Sequence, residues 1–372
     1  MERFVDQPLG ERPHLAVFGS DKVGNFVVTT PLLRGLKEKY PDASITFFGS
    51  TTTADLEAAC PYIDARLSLY GATGDVLGDF HSFVTQRVSA AGPIALAINC
   101  DGFSPLTQAL VPLTRPHYAA GQVLRADLRL PLSFPPGDPR AELLKDSDWN
   151  GPGMVARHPN LLTSNYFGEM LCRLAYVETD FFHVEVGSEP PPFEVPDILV
   201  HMTTTRPAKM WLPEYWGRLL SWCDSEGISV GLVGSKPELE RELYGGGFEE
   251  ELLATTKLRD LRGRTKLTEL AGAFAQARAA VVVDAGPLHL AVGVGCPTIA
   301  LFGNDADGDG ASPVRLWGPR GRNVLPVVSQ EKCTVCVENR FKNADCLVEG
   351  HPCMQGLTPD SVIAALARTL GK

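Results

Sequence analysis

Five small apolar residues, Ala279 to Val283, run directly into Asp284-Ala285-Gly286-Pro287 and then Leu288-His289-Leu290-Ala291. An apolar run of this length with no polar interruption suits a parallel strand covered on both faces. Gly286 permits a sharp turn, Pro287 falls where the first helical position needs no amide donor, and a helix follows. A strand that feeds a helix through so tight a turn is the repeating unit of an open α/β sheet, which gathers its ligands at the carboxyl ends of its strands. Amides at the helix start would face that end, where an anion can be held. The same residues also serve an ordinary strand-turn-helix, and a histidine at position 289 could as easily be a satisfied core residue.

The alternation recurs along the chain. A strand at 14–18 leads through Gly19-Ser20-Asp21-Lys22-Val23-Gly24-Asn25 into a helix at 26–40. That helix sets Leu32, Leu33 and Leu36 on one face and Lys37, Glu38 and Lys39 on the other. Pro41-Asp42 stops it before a strand at 44–48. A helix at 51–60, a strand at 65–69 and a strand at 94–98 continue the pattern, the last ending in Asn99-Cys100-Asp101-Gly102, so that Asp101 stands where sites collect. From 130 to 158 the chain is rich in proline and glycine and has no period, which predicts a long loop or flap; 166–175 reads as helix. Ser188-Glu-Pro-Pro-Pro-Phe-Glu-Val-Pro196 is a stiff, polyproline-like linker. Beyond it strands at 198–201, 228–233, 278–283 and 298–302 alternate with helices at 214–223 and 238–244. The expectation is an α/β protein of two Rossmann-like β/α/β domains, 1–187 and 197–355, facing each other across a cleft and joined by 188–196.

A chain of 372 residues exceeds one ordinary hydrophobic core, which agrees with two domains. With 44% hydrophobic and 21% charged residues it is neither disordered nor fibrous, and a net charge of −10 argues against a nucleic-acid partner. Any anionic ligand must therefore meet a local group of cations. No run of about 18 apolar residues predicts a transmembrane segment, and 1–13 lacks a basic-then-apolar signal, so a cytoplasmic location is expected. Cys60, Cys100, Cys172, Cys223 and Cys296 lie scattered in apolar surroundings, as reduced buried thiols do. Cys333-Thr-Val-Cys336, followed by Cys346 and Cys353, has metal-site spacing, with tetrathiolate zinc or iron in a structural role as the expected occupant. Two disulfides or four free thiols are the alternatives, the disulfides fitting a cytoplasmic protein less well. Asp305, Asp307 and Asp309 alternate like a calcium loop but lack the closing glutamate, so they read as a flexible acidic loop.

Three longer motifs stand in order. They are Gly24-Asn25-Phe26-Val27-Val28-Thr29-Thr30-Pro31-Leu32-Leu33-Arg34-Gly35-Leu36, then Thr203-Thr204-Thr205-Arg206-Pro207-Ala208-Lys209-Met210-Trp211 with Glu214 and Trp216, then Asp284-Ala285-Gly286-Pro287-Leu288-His289-Leu290-Ala291. Together they resemble glycosyltransferase family 9, the ADP-heptose:lipopolysaccharide heptosyltransferases and their relatives. The resemblance implies a GT-B architecture, with donor bound mainly by the C-terminal domain and acceptor mainly by the N-terminal one. It also implies that a last helix within 356–372 packs back on the first domain, and a cysteine-rich stretch before that helix is common among relatives.

The implied reaction is inverting transfer of a sugar from a nucleotide-diphosphate donor, ADP-heptose by resemblance, to an acceptor hydroxyl, with no catalytic cofactor. The departing diphosphate needs cations: Lys209 and Arg206 are the candidates, with the hydroxyls of Thr204 and Thr205 beside them, although such a pair is more often a solvated surface feature. Asp284, Ala285, Gly286 and His289 complete the implied donor site. Glu238 is the candidate ribose-binding carboxylate, Glu240 the alternative, and an exposed helix-start glutamate the bland reading. The family's base is an aspartate at the position held here by Asn25, which cannot take up a proton. Asp21 in the same loop is the first substitute and Asp101 the second. Ala285 also stands where relatives carry a hydroxyl. The acceptor, whether glycan, lipid, metabolite or protein, is not written in the sequence; Phe103, Arg115, Tyr118, Asn165 and Tyr166 are candidates to line its side. A catalytically disabled sugar-nucleotide-binding protein is the competing class, and a transferase acting on a metabolite or a protein is the competing enzyme.

Overall fold

The computed structural model of the chain describes residues 1–151, 153–304, 313–339 and 343–372. It divides into two compact units, one of Met1–Trp149 with Val155–Val184 and one of Asn150–Met154 with Glu185–Lys372. In the first, strands β1 (Glu2–Arg3), β2 (His14–Phe18), β3 (Ser44–Ser50), β4 (Ala65–Tyr70), β5 (Ile94–Asn99) and β6 (Tyr118–Gly121) form a parallel sheet in the order β1-β6-β5-β2-β3-β4. All five residues of β2 are buried, as a central strand covered on both faces requires. Against one face, Phe18 and Phe48 stack with ring centroids 4.4 Å apart and Phe80 packs beside them.

The second unit repeats the arrangement with β7 (Ile198–His201), β8 (Val230–Leu232), β9 (Arg259–Asp260), β10 (Ala279–Val283), β11 (Thr298–Asn304) and β12 (Val324–Ser329), ordered β12-β11-β10-β7-β8-β9 and again parallel. The apolar run 279–283 is the strand expected, buried along its whole length between β7 and β11. In the second sheet the strand order reverses once, at β10/β7; the first has the matching reversal at β5/β2, with β1 added at its edge beside β6. Ligands of open α/β sheets bind in the crevice at such reversals. The α/β class and the two Rossmann-like units are as the sequence predicts.

Several elements differ in detail. The helix after β2 spans Val23–Lys39, so Asn25 lies inside its first turn rather than in the loop. Pro31 lies within this helix and cannot donate to the Val27 carbonyl, which instead accepts from the Thr30 hydroxyl at 2.8 Å. The stretch 130–158 is not one loop: helices Pro139–Lys145 and Met154–Arg157 form within it. The first starts at Asp138, whose carboxylate accepts from the Arg140 amide, with Pro139 at the first helical position.

The linker 188–196 has no regular structure, but it is not a free tether. The Glu189 amide donates to the Thr268 carbonyl at 2.9 Å, and a Cβ on Gly272 would stand 1.8 Å from the Glu189 carbonyl oxygen, so only glycine lets the helix Leu267–Gln276 come so close. The terminal helix spans Pro359–Thr369. Its buried Val362, Ala365 and Leu366 belong to the second unit's core, beside Trp216 and Leu220 of the helix Pro213–Ser225. The apolar stripe is what the sequence signals; its partner is set by tertiary packing.

Candidate functional site

The reversal in the second sheet brings the second and third motifs together. After β7 the chain buries Thr203 and Thr204, exposes Thr205, and makes a short 3-10 turn, Pro207–Lys209. Lys209 Nζ lies 2.6 Å from Asp284 Oδ2, and Asp284 is buried directly after β10. This is no solvated surface pair, because the Lys209 side chain is only 25% exposed and the Asp284 side chain 8%. Arg206 is half-buried, and its Nε donates to the Asn343 carbonyl at 2.9 Å. The Ala208 amide donates to the Ala344 carbonyl at 2.9 Å and the Ala208 carbonyl lies 2.9 Å from His351 Nε2. The loop carrying both cations is thus tied to the cysteine-bearing segment.

His289, in the helix Gly286–Gly293, is buried, and burial first, then the charge of Lys209, push its pKa down to about 4 against the pull of Asp284. Its imidazole is therefore neutral near pH 7, and Nδ1 has no hydrogen-bond partner among the described residues. A buried polar atom without a partner is costly and marks a place where a ligand can supply one. The helix start offers fewer donors than expected. Ala285 is extended and caps nothing with its side chain, Pro287 has no amide, and the Leu288 amide turns back to the Ala285 carbonyl at 3.1 Å, which leaves the amide of Gly286.

The two glutamates separate clearly. Glu238 is exposed, with Arg241 at 4.0 Å. Glu240 is buried and already accepts from the Thr203 hydroxyl and the Ser235 amide. A Cβ on Gly234 would stand 2.6 Å from its Oε1, so the turn after β8 must be glycine to admit this carboxylate. Glu240 holds the loop after β7 in place, while Glu238 is the one open to a ligand.

In the first unit Asp21 and Asp101 follow the neighbouring strands β2 and β5, and Asn25 follows in the helix start. Asn25 Nδ2 donates to the Ser20 hydroxyl at 2.7 Å, which makes it a loop brace. Asp101 accepts from the Tyr70 hydroxyl at 2.5 Å through Oδ2, and Tyr70 also lies 2.7 Å from the Ser104 hydroxyl. Burial first, and then the charge of Asp21, push the Asp101 carboxyl above the ordinary aspartate value, although Tyr70 and Lys22 oppose them. Burial and Asp101 hold the Tyr70 phenol well above its usual range, so it stays a donor. Sequence reasoning missed Tyr70; its place as the last residue of β4 was the available signal.

Of the five residues expected to line the acceptor side, Phe103 borders a cavity of about 310 Å3. Tyr118 opens β6 and Arg115 precedes it, at the amino end of that strand and thus away from the Asp101 end, while Asn165 and Tyr166 are buried. Periodicity does not tell which end of a parallel strand a loop residue reaches, so these four positions could not be sorted from sequence.

All nine cysteines are thiols. The first five are buried as expected. Burial first, then the nearby Cys346, Cys336 and Cys333, push the Cys353 thiol up to about 12. Among the described residues, however, no three His, Cys, Asp or Glu side chains are grouped as a metal ion requires, so the tetrathiolate is not a formed site. Asp305, Asp307 and Asp309 lie outside the described residues, and among those described no helix is long and apolar enough to cross a membrane.

The chain is similar to lipooligosaccharide heptosyltransferase 2 of Haemophilus influenzae, 35% identical over 98 residues, which are 26% of this chain and 28% of that protein. It is also similar to lipopolysaccharide heptosyltransferase 1 of Pseudomonas aeruginosa, 32% identical over 137 residues, 36% of this chain and 34% of the other. The matched stretches thus span about a third of those relatives. Among solved structures it superimposes on E. coli ADP-heptose LPS heptosyltransferase II with a TM-score of 0.64 at 18% identity, over 96% of this chain and 98% of the other. The iron-containing dodecameric glycosyltransferase TibC of enterotoxigenic E. coli H10407 gives a TM-score of 0.56 at 14% identity, over 98% and 77%. At such identities these likenesses establish the fold, the GT-B type built on two Rossmann-like units. The family model described as glycosyltransferase family 9 (heptosyltransferase) matches residues 166–345, a stretch that includes both Lys209 and Asp284. By that match and its curated relatives, residues 166–345 of the chain are similar to glycosyltransferase family 9.

Proposed function

We propose that the protein is an inverting glycosyltransferase that takes a heptosyl group from ADP-heptose, without a catalytic metal, and passes it to an acceptor hydroxyl. The observation that carries this reading is the Lys209–Asp284 pair at the strand reversal of the second sheet, with the neutral, unpartnered imidazole of His289 close by. Lys209 and Arg206 meet the diphosphate oxygens, the Gly286 amide adds one neutral donor, Thr204 and Thr205 contribute hydroxyls, and Glu238 accepts from the ribose. Asp284 faces the sugar hydroxyls once Lys209 turns to phosphate. In the transfer step the acceptor oxygen forms a bond to the anomeric carbon while the bond from that carbon to the diphosphate oxygen breaks. The electron pair leaves with the nucleoside diphosphate and the acceptor proton passes to a carboxylate.

We assign that carboxylate to Asp101 in preference to Asp21, the reverse of the order expected from sequence. Its carboxyl is raised above the ordinary aspartate value, which favours proton uptake, no hydrogen bond reaches its Oδ1 among the described residues, and Tyr70 fixes its orientation through Oδ2. Asp21 acts by its charge. As a finer part of the same reading, Cys333, Cys336, Cys346 and Cys353 close on a structural zinc or iron ion, supported by their spacing and by the nearness of the other three thiols to Cys353. A cytoplasmic location, where the buried thiols stay reduced, belongs to this reading too.

The test is calorimetric titration of ADP, followed by an assay of ADP release from ADP-heptose with and without an acceptor panel. ADP binding with turnover supports the assignment. Binding without turnover over any panel favours the sugar-nucleotide-binding alternative, which Asn25 keeps in play.

A further inference from the structure

The cavity of about 310 Å3 in the first unit opens beside the carboxyl ends of β5 and β6, between Asn99, Cys100 and Gly102 on one side and the segment 143–149 on the other. Its size is that of a small-ligand pocket. Its walls are mostly apolar, supplied by Phe167, Met170, Leu171 and Leu174 from the helix Phe167–Leu174 together with Phe103 and Trp149. Phe103 is 65% exposed, yet its ring stacks on Trp149 at 5.2 Å and 30°, and Trp149 in turn leans on Phe167 at 5.9 Å. A large aromatic side chain left in water at the rim of an apolar cavity presents a ring face to whatever enters.

The charges around the cavity exclude a class of occupant. Its one lining cation is Lys145, a solvated side chain 3.8 Å from Glu142. Its one lining anion is Asp146, where burial is outweighed by hydrogen bonds from His158 and Arg157 that hold the carboxylate below its ordinary range. A phosphorylated acceptor would meet no organised cation, because Lys145 is solvated and Arg157 is already engaged by Asp146. The Asn99 amide is taken up by the Gln122 carbonyl and the Asp101 amide, so the Gln122 side chain is the neutral polar group lining the cavity that is left to orient a ligand.

We propose that this cavity seats the acceptor, and that the acceptor is a neutral hydroxylated molecule with an aromatic ring that stacks on Phe103 and Trp149, its hydroxyl at the Cys100–Gly102 edge, the stretch of chain that carries Asp101. The assignment of the cavity to an acceptor rests on the transferase reading above; the chemical class of its occupant rests on the cavity alone.

The full chain is titrated with 2-naphthol as the probe and with glucose 1-phosphate as the anionic comparison, by calorimetry and ligand-observed NMR, and ADP is titrated on the same preparations. Expected is saturable 2-naphthol binding in the high-micromolar to millimolar range, weakened about tenfold in Phe103→Ala and in Trp149→Leu, with no comparable uptake of glucose 1-phosphate. Phe103 is exposed enough that its variant should unfold at the wild-type temperature; Trp149→Leu provides the second reading if it does not. No binding of 2-naphthol, equal binding in both variants, or tighter binding of glucose 1-phosphate would each overturn the proposal. ADP binding without 2-naphthol binding sinks the cavity assignment only. Binding of 2-naphthol without ADP binding sinks the transferase reading and leaves an aromatic-binding pocket.

Discussion

Replacing Lys209 by methionine separates what the lysine does for the fold from what it does for a ligand. In the structure its Nζ sits 2.6 Å from a carboxylate that is 8% exposed, so Lys209→Met leaves Asp284 buried without its counter-charge. Removing one partner of a buried pair costs about 3–5 kcal/mol. Because Lys209 keeps 25% of its side chain in contact with water, the lower end, about 3 kcal/mol, is the better figure. For a unit of this size that lowers the unfolding midpoint by about 6–12 °C. Lys209→Met/Asp284→Asn removes both charges and should recover most of that loss. The ligand responds differently. A charged contact to a diphosphate contributes about 1.5–3 kcal/mol, so the single variant should bind ADP about 10- to 150-fold more weakly. The double variant, stable again, should remain as weak. Differential scanning calorimetry and ADP titration on wild type, both single variants and the double variant complete the cycle. If the double variant recovers ADP affinity along with stability, or if Lys209→Met binds ADP within twofold of wild type, Lys209 is a structural counter-ion and the donor site lies elsewhere.

The pH profile of transfer tests the base. Activity requires Asp101 as carboxylate, so it falls as pH drops through its raised pKa; Asp21→Asn removes a like charge and should move this acid limb to lower pH, whereas Tyr70→Phe removes a stabilising donor and should move it to higher pH. Any step in ADP affinity near pH 6.5 should come from the terminal phosphate of ADP and persist in His289→Gln, because His289 stays neutral down to about 4; a step that vanishes in that variant would contradict its buried neutral state. Glu238→Gln should weaken ADP without changing the unfolding midpoint, while Glu240→Ala, which strips a buried acceptor from Thr203 and Ser235, should cost about 1–3 kcal/mol of stability as read by denaturant titration. Protein purified without added metal should carry close to one equivalent of zinc or iron, and less than about 0.2 equivalents by elemental analysis would count against the thiolate site.

The second sheet was largely legible because its central strand is an uninterrupted apolar run and its break is marked by Gly286 and Pro287, features that few local structures accept. The pairing of Lys209 with Asp284 follows from two motifs at the ends of adjacent strands, and adjacency in a parallel sheet is a matter of topology that a motif does not carry. The base region was half legible. Asp21 and Asp101 stood out as carboxylates at strand ends, but the burial that raises one of them and the phenol of Tyr70 arriving from β4 are products of packing. Trp149 had no signal at all, since it follows an irregular stretch in which proline and glycine mask the helix Pro139–Lys145. The terminal helix shows the converse: its stripe of Val362, Ala365 and Leu366 announced a buried face, and nothing in the stripe named the surface that would bury it.

The short turn bearing Arg206 and Lys209 is fastened to residues 343–351 by Arg206 to the Asn343 carbonyl, by Ala208 to the Ala344 carbonyl and by His351 to the Ala208 carbonyl. Those residues lie between Cys336 and Cys353 and carry Cys346, so the thiols and the cations share one scaffold. If the turn holds the nucleotide as proposed, a change in the chemical state of the sulfurs, whether by oxidation or by chelation, reaches that grip within two or three bonded contacts. It should register as a shift in ADP dissociation while the parallel sheets behind it stay intact.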